Sequence, residues 1–340
     1  MRYREIQERA RERMAPNCHV CKECNGKACR GQVPGTGGRG SGMAFIRNVE
    51  YLSNIMIQPD LIHENRRPDT SFELFGRTFA APVFAAPIAG MNVSYNGAMT
   101  DEEYARCLLL GCRDAGCMAF TGDGPPPEFF DGPLAVYPEA EGWGIPTIKP
   151  WRGNRVYEKI DRIRPYHPFA VAMDIDGAGH GHFSDSADMV PKTTEEIKSY
   201  AAYAQAPFIL KGILSVSAAE KAVECGVDAI VVSNHGGRIY EHMASTVEML
   251  PKIRAAVGNR LKIFVDGGIR SGADVFKAIA MGADAVLIGR PYVVAAHGGG
   301  REGVVCYTER LIRELQEAMK MTGCMSIAEI SQDYIYNKNR

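Results

Sequence analysis

No stretch of this chain approaches the ~18 consecutive apolar residues that a membrane-spanning helix needs. A surplus of one charge is missing too: 39 Lys and Arg stand against 40 Asp and Glu, a net charge of −1. That balance gives no reason to expect nucleic acid or an anionic membrane as a partner. The amino-terminal run MRYREIQERARERM has no apolar segment of the kind a secretory signal carries, so a cytoplasmic location is the expectation. Ten cysteines are more than usual, but 340 residues without an export signal do not describe a disulfide scaffold. The apolar fraction of 46% suits a chain that buries a sizeable core.

The order of the chain is one of apolar runs alternating with helical patterns. Pro82 to Ala86, Cys117 to Thr121, Ile145 to Ile148, Phe169 to Ile175, Pro207 to Leu210, Ala229 to Val232, Lys262 to Val265 and Ala285 to Ile288 read as buried strands. Helical patterns separate most of them, as at Asp101 to Ala115, Val156 to Ile163, Glu195 to Ala204 and Gly272 to Met281. This alternation predicts an α/β fold with a parallel sheet. The last two strands end in Asp266-Gly267-Gly268-Ile269-Arg270 and Ile288-Gly289-Arg290-Pro291. Glycines there let backbone amides approach an anion, and the arginines add charged forks. In a (β/α)8 barrel the loops after the last two strands are where phosphate commonly sits, so a TIM barrel is favoured over a doubly wound sheet.

The first 45 residues are of another kind, and the division expected is 1–45 as an extension and 46–340 as the barrel. Tyr3 to Met14 reads as a short, highly charged surface helix. Cys18, Cys21, Cys24 and Cys29 follow with the spacing C-x2-C-x2-C-x4-C. Four thiolates so spaced can converge on zinc or on an iron–sulfur cluster, and reduced free thiols are the plainer alternative. Pro34 to Gly42 is too rich in glycine for helix or strand and reads as a linker or a lid.

Reactive side chains at barrel strand ends face a common mouth. Asp176, Lys211, His235, Arg238, Asp266, Arg270 and Arg290 all fall there. Taken singly, a strand-end Lys is ordinarily a solvated terminus, and a strand-end Asp is often the cap of the next helix. Together they form a chemically complementary set. His235 is suited to accept a proton near neutral pH, with Asp176 to orient it. Arg238 is suited to grip a carboxylate with two hydrogen bonds, and Lys211 to steady an electron-rich cofactor.

On these residues the sequence resembles the FMN-dependent 2-hydroxy acid dehydrogenases and oxidases, the group of glycolate oxidase, lactate oxidase and flavocytochrome b2. The resemblance is carried by Leu210-Lys211-Gly212-Ile213, by Ser233-Asn234-His235-Gly236-Gly237-Arg238, by Asp266 to Ala278 and by Ile288 to Pro291. It implies oxidation of an L-2-hydroxy acid to the 2-oxo acid, with His235 as base, Asp176 as its paired carboxylate and Arg238 on the substrate carboxylate. It implies FMN as cofactor, with Pro87, Ile88 and Ala89 along the flavin, Thr121 at its polar edge, and Ser233 and Lys211 beside it. Asp266 would bind the ribityl chain, and Gly267, Gly268, Arg270, Gly289 and Arg290 the phosphate end. A homo-oligomer is a further expectation from the resemblance, while the electron acceptor is left open.

The departures are local. The family's amino-terminal pocket tyrosine has no counterpart, Asp123 stands where an aromatic residue is expected, and Ile148-Lys149-Pro150 replaces Gln-x-Tyr. The second substrate arginine falls within Gly177 to His182, where His180 or His182 would have to substitute. The Asp176 to Pro207 connection is too short for the family's long mobile loop. Two other readings stay open: an isomerase of the type 2 isopentenyl diphosphate kind, and a flavin or cluster protein for redox sensing or electron transfer.

Overall fold

The computed structural model describes residues 2–179 and 188–338. Eight parallel strands form a closed barrel in chain order: β1 Val83–Ala85, β2 Met118–Thr121, β3 Ile145–Ile148, β4 Val171–Asp174, β5 Phe208–Ile213, β6 Ala229–Val232, β7 Lys262–Asp266 and β8 Ala285–Ile288. Closure comes from β8 on β1, with Val286 opposite Val83 and Ile288 opposite Ala85. The fold is therefore the expected TIM barrel, and strand by strand it follows the apolar runs.

Period-2 alternation decides what each strand residue does. Phe84, Met118, Phe120, Ile209, Val231, Phe264 and Leu287 point inward and are fully buried. Their neighbours Val83, Ala119, Ile230 and Val265 point outward against the helices. The aromatic rings inside meet edge to face, as Phe84 does with Phe264 at 5.3 Å. A hairpin of Phe72–Leu74 and Arg77–Phe79 joins the same cluster, with Phe79 against Phe84 at 5.1 Å. The interior below the site is thus filled, and the open end lies at the strand carboxyl termini. Helices start where side chains supply caps: Thr100 with Glu103, Thr193 with Glu196 and Ser271 with Asp274 each form a capping box.

The amino-terminal extension differs from the expected surface helix. Tyr3–Met14 is helical, but Ile6, Ala10 and Met14 recur every four residues and form one buried stripe. The stripe packs on the carboxyl-terminal helical stretch Arg290–Thr322, which breaks at Gly300 (φ 57°). Contact is backbone to backbone at Gly298, where a Cβ would lie 2.0 Å from the Ile6 carbonyl oxygen. Position 45 falls inside a further helix, Met43–Ser53, which the glycine-rich run had obscured. Among the described residues no helix is long and apolar enough to cross a membrane.

The Met43–Ser53 helix ties the extension to the barrel through Asn48. The Asn48 amide nitrogen donates to Asn234 Oδ1 at 2.8 Å, and Asn234 returns the bond to Asn48 Oδ1 at 2.9 Å. Asn48 Oδ1 also accepts from the Thr246 amide at 3.2 Å. Both asparagines are fully buried. Helix and strand end approach so closely that a Cβ on Gly268 would lie 2.4 Å from the Asn48 carbonyl oxygen. Gly267 and Gly268 also have φ of 90° and 88°, a region that disfavours side chains. Replacing Asn48 with Leu leaves Asn234 with unmatched polar atoms. Chemical denaturation should show a loss of about 1–3 kcal/mol, with an unchanged m-value.

Candidate active site

The cavity at the carboxyl end of the barrel has a volume of about 460 Å³, within the ordinary range for a cofactor or ligand pocket. All of the strand-end set but Asp176 line it: Lys211, His235, Arg238, Asp266, Arg270 and Arg290 reach it. Pro87, Ile88, Ala89, Gly267, Gly268 and Gly289 line it as well.

His235 follows β6 in a short 3-10 turn, His235–Gly237, and its own φ is 57°. A residue with a Cβ adopts that left-handed conformation at a cost of about 1–2 kcal/mol, so neighbouring contacts must hold it. They are the Ser233 hydroxyl, which accepts from the His235 amide at 3.0 Å, and the Asn234–Asn48 pair. The imidazole Nδ1 lies 2.9 Å from Asp176 Oδ1 and 3.5 Å from Asp174 Oδ1. Carboxylates on that side favour the proton on Nδ1 and put the basic lone pair on Nε2.

Asp174, the last residue of β4, is the hub. Lys211 Nζ lies 2.9 Å from its Oδ1 and Lys149 Nζ 2.5 Å from its Oδ2. Burial alone would raise the Asp174 pKa, but the charges of His235, Lys149 and Lys211 outweigh it and hold the carboxyl well below the usual range. Burial likewise works against charge on Lys211, yet Asp174, Asp176 and Asp266 raise its pKa. Asp266 goes the other way: its burial outweighs the Lys211 charge and pushes its pKa up. One Asp266 oxygen accepts from Ser233 Oγ at 2.9 Å, and the other, Oδ1, is buried without a hydrogen-bond partner.

The structure separates three of the expected contacts from the cavity itself. Thr121 lies on the outward face of β2, where its hydroxyl meets Tyr137 at 3.2 Å, because inward positions belong to Met118 and Phe120. Gly122 lines the cavity in its place. Ser233 and Asp176 stand one layer back, on Asp266 and His235 respectively. His180 and His182 lie outside the described residues.

The glycine-rich run is built onto the mouth. Val33 and Pro34 line the cavity, Arg39 donates from its amide to the Gly237 carbonyl at 2.8 Å, and the Ser41 amide donates to Glu241 at 2.7 Å. Arg238 donates to the Gly35 carbonyl. Of the two remaining departures, Asp123 is a buried anchor that accepts from Trp151 Nε1 at 2.6 Å and from Lys159 Nζ at 3.0 Å. Lys149 lines the cavity and pairs with Asp174, and strand-end reasoning passed over it. Its signal was the same as that of Lys211, a lysine directly after a buried apolar strand.

Two features test the fit to FMN. The orphaned Asp266 Oδ1 needs a hydroxyl donor, as a ribityl chain would supply. Arg270 and Arg290 spend their hydrogen bonds on backbone carbonyls: Cys24 and Ile269 for the first, Thr36, Gly37 and Gly236 for the second. Two guanidiniums with only neutral acceptors at one end of a cavity suit a phosphate. The residues present fit the group.

Asp174→Asn removes the charge on which both lysines rest, and breaking a buried ion pair in this way costs about 3–5 kcal/mol. The folded-state pKa of Asp174 is depressed, so its contribution is complete above the unfolded value near 3.8 and fades as pH falls below it. Unfolding free energies of the parent and Asp174→Asn proteins should therefore differ by a constant amount from about pH 5 to 8 and converge in more acidic buffer.

Comparisons with known proteins agree with this geometry. Residues 35–118 and 160–337 match the family model of the FMN-dependent dehydrogenases. A 4-hydroxymandelate oxidase from Amycolatopsis orientalis is 31% identical, over 88% of this chain and 94% of its own length. A 2-hydroxyacid oxidase from Dictyostelium discoideum is 42% identical, over 88% of this chain and 84% of its own. A crystal structure of a mandelate oxidase variant with 2-hydroxy-phenylacetamide superposes with a TM-score of 0.77 at 28% identity, covering 96% of this chain and 95% of that one. The stretches outside the family model hold the cysteine segment, Asp123 and Lys149. With matched segments over most of the chain and a relative at 42% identity, the protein belongs to the FMN-dependent dehydrogenase family of 2-hydroxy acid oxidoreductases.

Proposed function

We propose that this enzyme oxidises an L-2-hydroxy acid to the 2-oxo acid. The observation that carries the reading is the 2.9 Å bond from His235 Nδ1 to Asp176, in a cavity that Lys211 and Arg238 also line. FMN, when bound, supplies the two-electron acceptor. Arg238 binds the substrate carboxylate with its guanidinium fork and so places the α-carbon and hydroxyl beside the imidazole. His235 removes a proton through Nε2, and the positive charge it gains sits beside Asp176 and Asp174. Lys211, held in its charged state by Asp174, provides a fixed positive charge where the cofactor gains electron density. Pro87, Ile88 and Ala89 form the apolar wall for the ring, Asp266 the ribityl contact, and Gly268, Arg270, Gly289 and Arg290 the phosphate end. The fixed position of His235 between Ser233 and the carboxylates means that little reorganisation precedes proton transfer.

The reading is supported by the family membership and by relatives named 4-hydroxymandelate oxidase, L-lactate oxidase and 2-hydroxyacid oxidase. Lys149 stands where the resemblance leads one to expect Gln-x-Tyr, so the pocket's substrate preference should differ from that of relatives with a tyrosine there. Anaerobic mixing with a panel of L-2-hydroxy acids tests the proposal, since a productive substrate bleaches the oxidised flavin. His235→Ala should keep its flavin and lose roughly 10²–10⁴-fold in the rate of bleaching. Arg238→Met should raise KM by about 10- to 100-fold through the lost charged hydrogen bonds. Unchanged bleaching in His235→Ala would sink the assignment of the base.

A further inference from the structure

A second cavity, of about 210 Å³, lies beneath the amino-terminal extension, and the flavin chemistry makes no use of it. All four cysteines of the C-x2-C-x2-C-x4-C segment line it, and each is half-buried. Arg270 and Arg290 line it too, so the same two guanidiniums form the wall between this cavity and the flavin site. We propose that Cys18, Cys21, Cys24 and Cys29 ligate a [4Fe–4S] cluster here, behind the phosphate end of the flavin pocket.

Size is the first reason. A water molecule occupies about 30 Å³ of liquid, so the space is several times what one bare metal ion requires. Thiol spacing is the second. A tetrahedral zinc site with Zn–S bonds near 2.3 Å brings its sulfurs to about 3.8 Å from one another. Among the described residues no three of these thiols come within 4.8 Å of one another, whereas Asp174, Asp176 and His235 do. A cubane holds one thiolate on each of four separate irons, which sets the sulfurs further apart than a single ion can.

Charge is the third reason. A [4Fe–4S] centre in its resting oxidised state with four thiolates carries two net negative charges. Arg270 and Arg290 end on backbone carbonyls, whereas Arg310, which lines the same cavity, is paired with Glu314. Cations held between two cavities without a carboxylate of their own suit an anion on each side, a phosphate on one and a cluster on the other. The segment is also tied to this wall directly, since Arg270 Nε donates to the Cys24 carbonyl at 2.9 Å. An amide already faces sulfur, with Val20 N donating to Cys18 Sγ at 3.4 Å, the kind of contact that tunes such centres.

The test uses the full-length protein, reconstituted with ferrous iron and sulfide without oxygen and freed of loose metal. About four iron and four acid-labile sulfide per chain are expected, with a paramagnetic signal after dithionite reduction. Cys18→Ser and Cys24→Ser should each lose most of the iron, and Cys107→Ser, outside the cavity, should keep it. One zinc per chain without sulfide, or iron at background in protein that carries its flavin, would overturn the proposal. Iron retained in full by both serine variants would overturn the ligand assignment. Should the serine variants fail to fold, the iron and sulfide stoichiometry of the unaltered protein decides. Flavin content and bleaching by hydroxy acids are read on the same samples, so failure of the cluster and failure of the proposed oxidation remain distinguishable.

Discussion

Asp174 carries an ammonium group on each of its oxygens, Lys211 on one and Lys149 on the other, and the imidazole of His235 stands 3.5 Å away. With 3% of the residue exposed, water offers the Asp174 carboxylate little solvation, so its ionised form depends on the neighbouring positive charges. Such an arrangement costs desolvation energy that an apolar cluster would not, and it is therefore poor evidence for stability as such. What it secures is a fixed field at the cavity floor. Lys211 stays charged because of the surrounding carboxylates, while burial pushes the Asp266 pKa up. One charge cluster thus gives the site both a lasting cation and an imidazole whose Nδ1 side is engaged by carboxylates.

The barrel alone does not complete the site. The Asn48–Asn234 pair holds the turn that carries His235, and Asn48 belongs to the helix Met43–Ser53 before the barrel begins. The glycine-rich run supplies Pro34 to the cavity, beside Val33 that precedes it, and a carbonyl to Arg238. Arg290 joins all three parts, with bonds to Thr36, Gly37 and Gly236 and the Phe45 ring 3.8 Å from its guanidinium. The extension is therefore as much a wall of the site as any strand end.

The strands were legible because a buried parallel strand is a local signal: four or five apolar residues bounded by turn formers. Ile145–Ile148, Ala229–Val232 and Ala285–Ile288 coincide with their apolar runs residue for residue. Side-chain direction was less legible. Thr121 ends a strand beside the cavity, yet one step of alternation turns it to Tyr137. The buried stripe Ile6, Ala10 and Met14 was hidden because charged residues fill seven of the nine other positions of that helix.

By itself the sequence determined the alternating architecture, the strand ends that carry reactive side chains, and the kinship of His235 and Arg238 with a flavin-dependent chemistry. These are properties of short, contiguous segments. Only the tertiary structure decided that Lys149 shares a carboxylate with Lys211, that Asn48 braces the His235 turn, and that two arginines divide the flavin cavity from the cysteines. Those outcomes join residues 25, 186 and 246 positions apart along the chain. No local pattern records such pairings, because they exist only once the barrel has closed and the extension has folded back over its mouth.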